Sequence, residues 1–284
     1  MARGMSVHIG LNAVDPDHYS GWDGALSACE FDANDMEAIA EKRGFEPRTK
    51  LLTREATSDA ITKAIESAAG ELEQGDIFFI TYSGHGGQVP DTNGEGESDE
   101  SDETWLAFDR QIVDDELYAL WTKFKPGVRV IVLSDSCHSG SVNRGIEDEE
   151  VVPDPVKTAE EAAKQNPRFR ALPRDKMIET YEQNEDLYDG IQNRVASSTT
   201  STSELQTRVL LISGCQDDQL SRDGFKNGAF TGKLLQIWDE GAWKGGYSAF
   251  HEAIRSKMPD DQKPNYNPIG PEDADFEQQD PFTV

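Results

Sequence analysis

Basic residues are scarce in this chain. Its 284 residues include 27 Lys and Arg against 54 Asp and Glu, a net charge of -27. A surface that acidic repels nucleic acid and anionic membranes and attracts cations, either metal ions or basic peptide segments. A salt-rich host would select the same bias. Long apolar runs are missing as well. No stretch approaches the ~18 residues of a membrane span, and the opening MARGMSVHIG has no apolar core of a secretory signal. Cysteine is limited to Cys29, Cys137 and Cys215. An odd number, widely spaced, argues against a disulfide framework and for a reducing, cytoplasmic setting. No CxxC or HxxxH spacing occurs, which removes the usual zinc arrangements. No internal repeat is present.

Short apolar strands alternate with helical patterns. SVHIGLN (6–12), TKLLTR (49–54), DIFFITYSGHG (76–86), residues 104–109, RVIVLSD (129–135) and RVLLISG (208–214) read as strands. Helices are predicted at 25–43, where Leu26, Cys29, Ala33, Met36 and Ala40 share one face, and at 58–72, 114–123, 228–240 and 246–257. This rhythm predicts an α/β fold with a mostly parallel central β-sheet and helices on both faces. Residues 143–206 interrupt it with charged sequence and only marginal helical patterns, so they read as an insertion between two core strands of a single domain spanning 1–284. The Pro- and acid-rich tail from Pro264 reads as irregular.

In such sheets, ligands sit at the carboxyl ends of the strands. Two strands end there in reactive side chains: one delivers YSGHGG with His85, the other SDSCHSG with Cys137. A thiol is mostly protonated at neutral pH, and a neighbouring imidazole activates it. The small residues leave backbone N–H groups exposed, and those of Gly86 and Cys137 are placed to hold an oxyanion. His138 competes with His85 for the base, but directly follows the nucleophile and would point away on an extended strand. Asp135 lies two residues before Cys137, on the same face, and directs a carboxylate into the same cleft.

YSGHGGQVPD and DSCHSGS together resemble the metacaspase/orthocaspase branch of the caspase-like cysteine peptidases. His85 precedes Cys137 by about 50 positions, the order and gap of that group. SACEFDANDM (27–36) resembles the family's helix motif, with Phe31 where Asn is usual, and ISGCQDDQ (212–219) resembles a late strand motif. The resemblance implies a caspase-like fold, His85 as general base and Cys137 as nucleophile. It implies a substrate pocket containing Asp32, Ser83, Asp135 and Cys29. Carboxylates crowded into one pocket repel unless a cation enters. The expected substrates are therefore peptides or proteins with Arg or Lys at P1, hydrolysed through a thioester.

The resemblance further implies calcium, held by Asp102, Asp114 and Asp115, although a fourth acidic position is occupied by Arg144. Without calcium, the same residues read as a solvated acidic loop and a helix cap. The insertion contains Arg144, Lys157, Lys164, Arg168, Arg170, Arg174, Lys176 and Arg194, so it is a candidate substrate of its own enzyme. Two other readings use the same residues: a catalytically silent caspase-like protein binding basic partners, and a ligase that resolves the thioester with an amine. The chain is expected to act as a monomer, without nucleic acid or membrane.

Overall fold

The computed structural model describes residues 2–92, 101–137, 169–198, 205–215 and 221–284. The first half runs β1 (Gly4–Gly10), α1 (Cys29–Lys42), β2 (Arg48–Leu52), α2 (Ser58–Glu71) and β3 (Ile77–Ser83). A small antiparallel sheet follows, β4 (Gly86–Pro90), β5 (Ser101–Leu106) and β6 (Gln111–Val113), then α3 (Asp114–Trp121) and β7 (Arg129–Asp135). Within the described part of the insertion lie α4 (Arg174–Gln183) and α5 (Glu185–Ser198); then come β8 (Arg208–Ser213), α6 (Ala229–Trp238), α7 (Tyr247–Arg255), β9 (Asn265–Ile269) and α8 (Ala274–Gln278).

The main sheet has the order β2-β1-β3-β7-β8-β9. All neighbours are parallel except β9, which runs antiparallel to β8. Both faces are covered, as the continuous apolar runs of β3 and β7 require. Side chains alternate across the sheet. Phe78, Ile80, Val130 and Val132 face α2 and α3, through Ile61, Ile65, Leu117 and Trp121. Ile77, Phe79, Ile131 and Leu133 face α1, α6 and α7, through Met36, Ile39, Leu234 and Phe250. No helix among the described residues is long and apolar enough to cross a membrane.

The structure departs from three expectations. The first helix begins at Cys29 rather than 25, because the side chain of Asn12, just after β1, accepts hydrogen bonds from the N–H groups of Cys29 (3.0 Å) and Glu30 (3.4 Å) and so fixes where the helix starts. The tail is ordered rather than irregular. Pro268 sits on the edge strand β9, where a missing N–H is tolerated, and Phe276 and Phe282 are buried against the sheet's second face. The described part of the insertion carries two helices whose polar sequence conceals few anchors: Thr180, Tyr188, Ile191 and Gln192 are buried while most neighbours face solvent.

Candidate active site

Strands β3 and β7 are adjacent and in register, Ser83 opposite Asp135. His85 and Cys137 each lie two residues beyond those paired positions, so the two strand tips deliver them to the same end of the sheet. Tyr82 fixes the first tip: its hydroxyl donates to the His85 carbonyl (2.5 Å) and the Leu106 carbonyl (3.0 Å), and its ring stacks on Trp105.

The imidazole of His85 is buried against Trp22, with ring centroids 4.6 Å apart. Its Nε2 bonds the Gly24 carbonyl oxygen at 2.9 Å. A carbonyl can only accept, so Nε2 carries the proton and Nδ1 presents a lone pair. Among the described residues Nδ1 has no side-chain hydrogen-bond partner, and the Ala171 backbone lies beside the ring. Burial lowers the imidazole pKa to about 4, with the Gly24 carbonyl opposing the shift, so the ring is neutral near pH 7. Gly24 is required at this point. Its φ is +57°, and a Cβ there would lie 3.1 Å from His85 Cδ2 and 3.0 Å from the Trp22 ring.

Cys137 is fully buried, with Sγ against the backbone of Ser221: the Ser221 N–H donates to it, and the thiol approaches the Ser221 carbonyl at 3.5 Å. The N–H groups of Cys137 (3.1 Å) and Gly86 (3.0 Å) both donate to one oxygen, the backbone carbonyl of Arg170. The two donors expected to hold an oxyanion therefore already hold a peptide carbonyl of the chain itself.

Around that carbonyl, the backbone of residues 169–172 is held on both sides by isolated bridges and hydrogen bonds. Phe169 pairs antiparallel with Arg222, and Ala171 pairs parallel with Gly86. The Arg170 N–H donates to the Ser221 carbonyl (2.9 Å), and the Leu172 N–H to the Gly86 carbonyl (2.8 Å).

The Arg170 side chain is wholly buried among acids. Nη2 meets Asp32 at 2.7 Å and Asp223 at 3.0 Å. Nη1 meets the Asp135 carboxylate at 3.0 Å and carbonyl at 3.1 Å, and donates to Ser83 Oγ at 2.8 Å. The acids are themselves held in place. Asp32 accepts from the Gly228 N–H, the Asn227 amide and the Ser83 hydroxyl. Asp135 accepts from the Thr231 N–H and hydroxyl and from Ser221 Oγ. Asp223 accepts from the Ser27 (2.8 Å) and Ala28 (3.3 Å) N–H groups ahead of α1. Burial pushes the Asp32 carboxyl up to about 6 against the pull of Arg170, and Asp135 adds to the rise. Gly228 forms one wall: a Cβ there would lie 2.6 Å from Arg170 Cζ and 2.5 Å from Asp135 Oδ2.

Of the residues singled out by sequence, His85, Gly86 and Cys137 converge on the Arg170–Ala171 peptide bond, and Asp32, Ser83 and Asp135 on the guanidinium. Cys29 lies beside the pocket as a buried thiol whose pKa burial pushes up, so it stays protonated. Sequence reading missed Asp223, the Gly24 carbonyl and the Ser221 backbone. Asp223 sits in SRDGFKNGAF, a polar, Gly-rich loop ahead of α6, and the rule that ligands gather at strand carboxyl ends applies equally to the loops after β8. His138 and Arg144 lie outside the described residues.

Asp102 is buried on β5, and Asp114 and Asp115 open α3 at the same end of the β5–β6 hairpin. Among the described residues no three His, Cys, Asp or Glu side chains group closely enough to hold a metal ion. Glu95, Glu97, Asp99 and Glu100 of the same acidic loop lie outside the described residues.

Comparison with known proteins gives the family and the fold. The caspase-1 of Spodoptera frugiperda shares the fold at 13% identity, with a TM-score of 0.54 over 94% of this chain and 88% of that one. The family described as Caspase domain matches residues 13–275, and the chain belongs to this family of caspase-like cysteine peptidases. The metacaspase-1 of Mycosarcoma maydis is 27% identical over 94% of this chain and 71% of its own length. Several other metacaspases it matches are longer, and the chain spans 32% to 61% of them. A Geobacter sulfurreducens protein of known crystal structure is 49% identical, with a TM-score of 0.85 over 99% of both chains.

Proposed function

We propose that this protein is an endopeptidase that cleaves after Arg or Lys by a Cys137–His85 dyad and cuts its own chain after Arg170. One observation carries this reading: Arg170 lies in the cleft as a substrate would, its guanidinium among Asp32, Asp135 and Asp223 and its carbonyl on the Gly86 and Cys137 N–H groups. An acid-lined pocket selects a basic P1 side chain and rejects Asp, whose charge would be a fourth carboxylate there.

His85 Nδ1 takes the thiol proton, and Cys137 Sγ attacks the P1 carbonyl carbon. The developing oxyanion is stabilised by the two N–H donors, which are already aimed at that oxygen. The imidazolium, oriented by the Gly24 carbonyl, then gives its proton to the leaving amine, and water hydrolyses the thioester. Calcium stimulation by Asp102, Asp114 and Asp115 is carried as part of the proposal, and activity titrated with calcium and chelator decides it. The main test is turnover of matched Arg-, Lys- and Asp-P1 peptides, together with intact masses of wild type and Cys137→Ala. The expected result is Arg and Lys turnover and a break after Arg170 in wild type alone. Preference for Asp, or the same break in Cys137→Ala, refutes the reading.

A further inference from the structure

The two sides of the Arg170–Ala171 bond are held by different means. Once Cys137 is acylated, Arg170 is bound covalently to Sγ. The other side is gripped by the fold. Leu172 is 2% exposed and packs with Val14, Tyr19 and Leu106, and its N–H bonds Gly86. Two residues later α4 begins, with the Lys176 ammonium on the Ser20 carbonyl at 3.2 Å. Helix α5 is pinned in turn: the Tyr188 hydroxyl meets His18 (2.7 Å) and the Gln111 N–H (3.2 Å), and Gln192 bonds the Thr92 N–H and the Pro90 carbonyl. The amine released from an ordinary peptide diffuses away. The amine of Ala171 stays in the cleft.

We propose that the protein is also a peptide ligase at its own Arg170–Ala171 junction, where the retained Ala171 amine attacks the Cys137 thioester and reseals the chain. This rests on the acyl-enzyme reading above. Acylation forms the Sγ–C bond, breaks the C–N bond and transfers one proton from His85 to the amine. Resealing runs the same steps backwards: the amine returns its proton to His85 Nδ1, the C–N bond forms, and sulfur leaves as the thiolate. No oxidant or cofactor is involved. An α-amino group has a pKa near ~8, so a substantial fraction is neutral and nucleophilic at neutral pH. Held next to the carbonyl, it acts at an effective concentration far above that of a free amine, and it occupies the side from which water must approach. Self-cleavage is then a repeated opening and closing, and the chain is lost only when water wins.

The test uses full-length wild type isolated intact in denaturant and refolded with increasing hydroxylamine, a small nucleophile that captures thioesters. Loss of intact chain is followed on denaturing gels and by mass. If resealing competes, hydroxylamine speeds this loss roughly tenfold, to a plateau set by acylation, and leaves a hydroxamate on Arg170. In Leu172→Ala, where the grip on the amine is weakened, the acceleration shrinks. A rate of chain loss that ignores hydroxylamine in folded wild type overturns the ligase, whether or not hydroxamate forms, and this arm does not depend on the variant folding. No break after Arg170 despite turnover of Arg peptides overturns the self-cleavage reading and the ligase with it. No turnover of any basic peptide overturns the proposed activity itself.

Discussion

The third pocket acid offers a sharp test of how the guanidinium is held. Asp223→Asn keeps the shape of the side chain and removes its charge. In the structure, one carboxylate faces Arg170 Nη2 at 3.0 Å while also accepting from the Ser27 and Ala28 N–H groups. Every neighbour named here is a donor, and Asn brings an NH₂ into a site built for acceptors. A hydrogen bond to a charged group contributes about 1.5–3 kcal/mol. Asp32 and Asp135 remain and keep the guanidinium neutralised, so the larger cost of a stranded buried charge does not arise. At ~1.4 kcal/mol per decade, kcat/KM for an Arg-P1 peptide falls by roughly 10- to 150-fold. The opposing effect is repulsion among three acids in the empty pocket, which the substitution relieves. The assay is kcat/KM on the matched peptide series, with a melting curve to show that the variant folds. A folded Asp223→Asn within twofold of wild type would mean that Asp223 serves only the start of α1, and the three-acid account of the pocket would be wrong.

Other outcomes follow from the same geometry. Gly228→Ala places a methyl where the guanidinium sits; Arg-P1 turnover should be lost while the fold, judged by melting temperature, is kept. Gly24→Ala strains a φ of +57° and crowds the imidazole; kcat should fall on the order of tenfold or more with little change in KM, since His85 does not touch the P1 side chain. Asp32 has a pKa of about 6 with Arg170 in place, and that cation's departure removes a cause that lowers it. The pocket should therefore lose a charge as pH falls through 6, and an acid limb in kcat/KM near or above pH 6 should vanish in Asp32→Asn. Stability has its own pH dependence. His85, lowered to about 4, and His8, lowered to about 3 chiefly by burial, are neutral in the fold but protonate near ~6.5 when unfolded. Their contributions are present above pH 6.5 and decline as pH falls toward those lower values, by about 2 kcal/mol each at pH 5. Asp32, raised in the fold, works in the opposite sense and offsets part of this between pH 6 and 5. Melting temperature should still drop between pH 7 and 5, and a flat profile would contradict the buried neutral histidines.

Much of this was legible in the linear chain, for a local reason. Apolar runs such as IFFIT and RVIVL can only be buried strands, and the small residues that follow them mark where backbone turns at the surface. That was enough to bring His85 and Cys137 to one end of one sheet and to place Asp135 on the nucleophile's face. The insertion was harder to read, because α5 carries only a short apolar stripe, Tyr188, Ile191 and Val195, in an otherwise polar sequence, and α4 fully buries only Thr180. The ordered tail was hidden similarly, since an edge strand containing Pro268 has little strand character of its own.

What the sequence determined by itself is the alternation of buried strands and helices, the acidic excess, and the two reactive side chains at strand ends. These depend on residue type and on spacing within a few positions. It took the folded chain to show that Asp32, Asp135 and Asp223 share one guanidinium, that the Gly24 carbonyl sets the proton on His85, and that, of eight basic residues in the insertion, Arg170 fills the pocket. Each of those contacts joins residues from distant parts of the chain, and their partnership arises only when the sheet brings its strand tips and loops to the same edge.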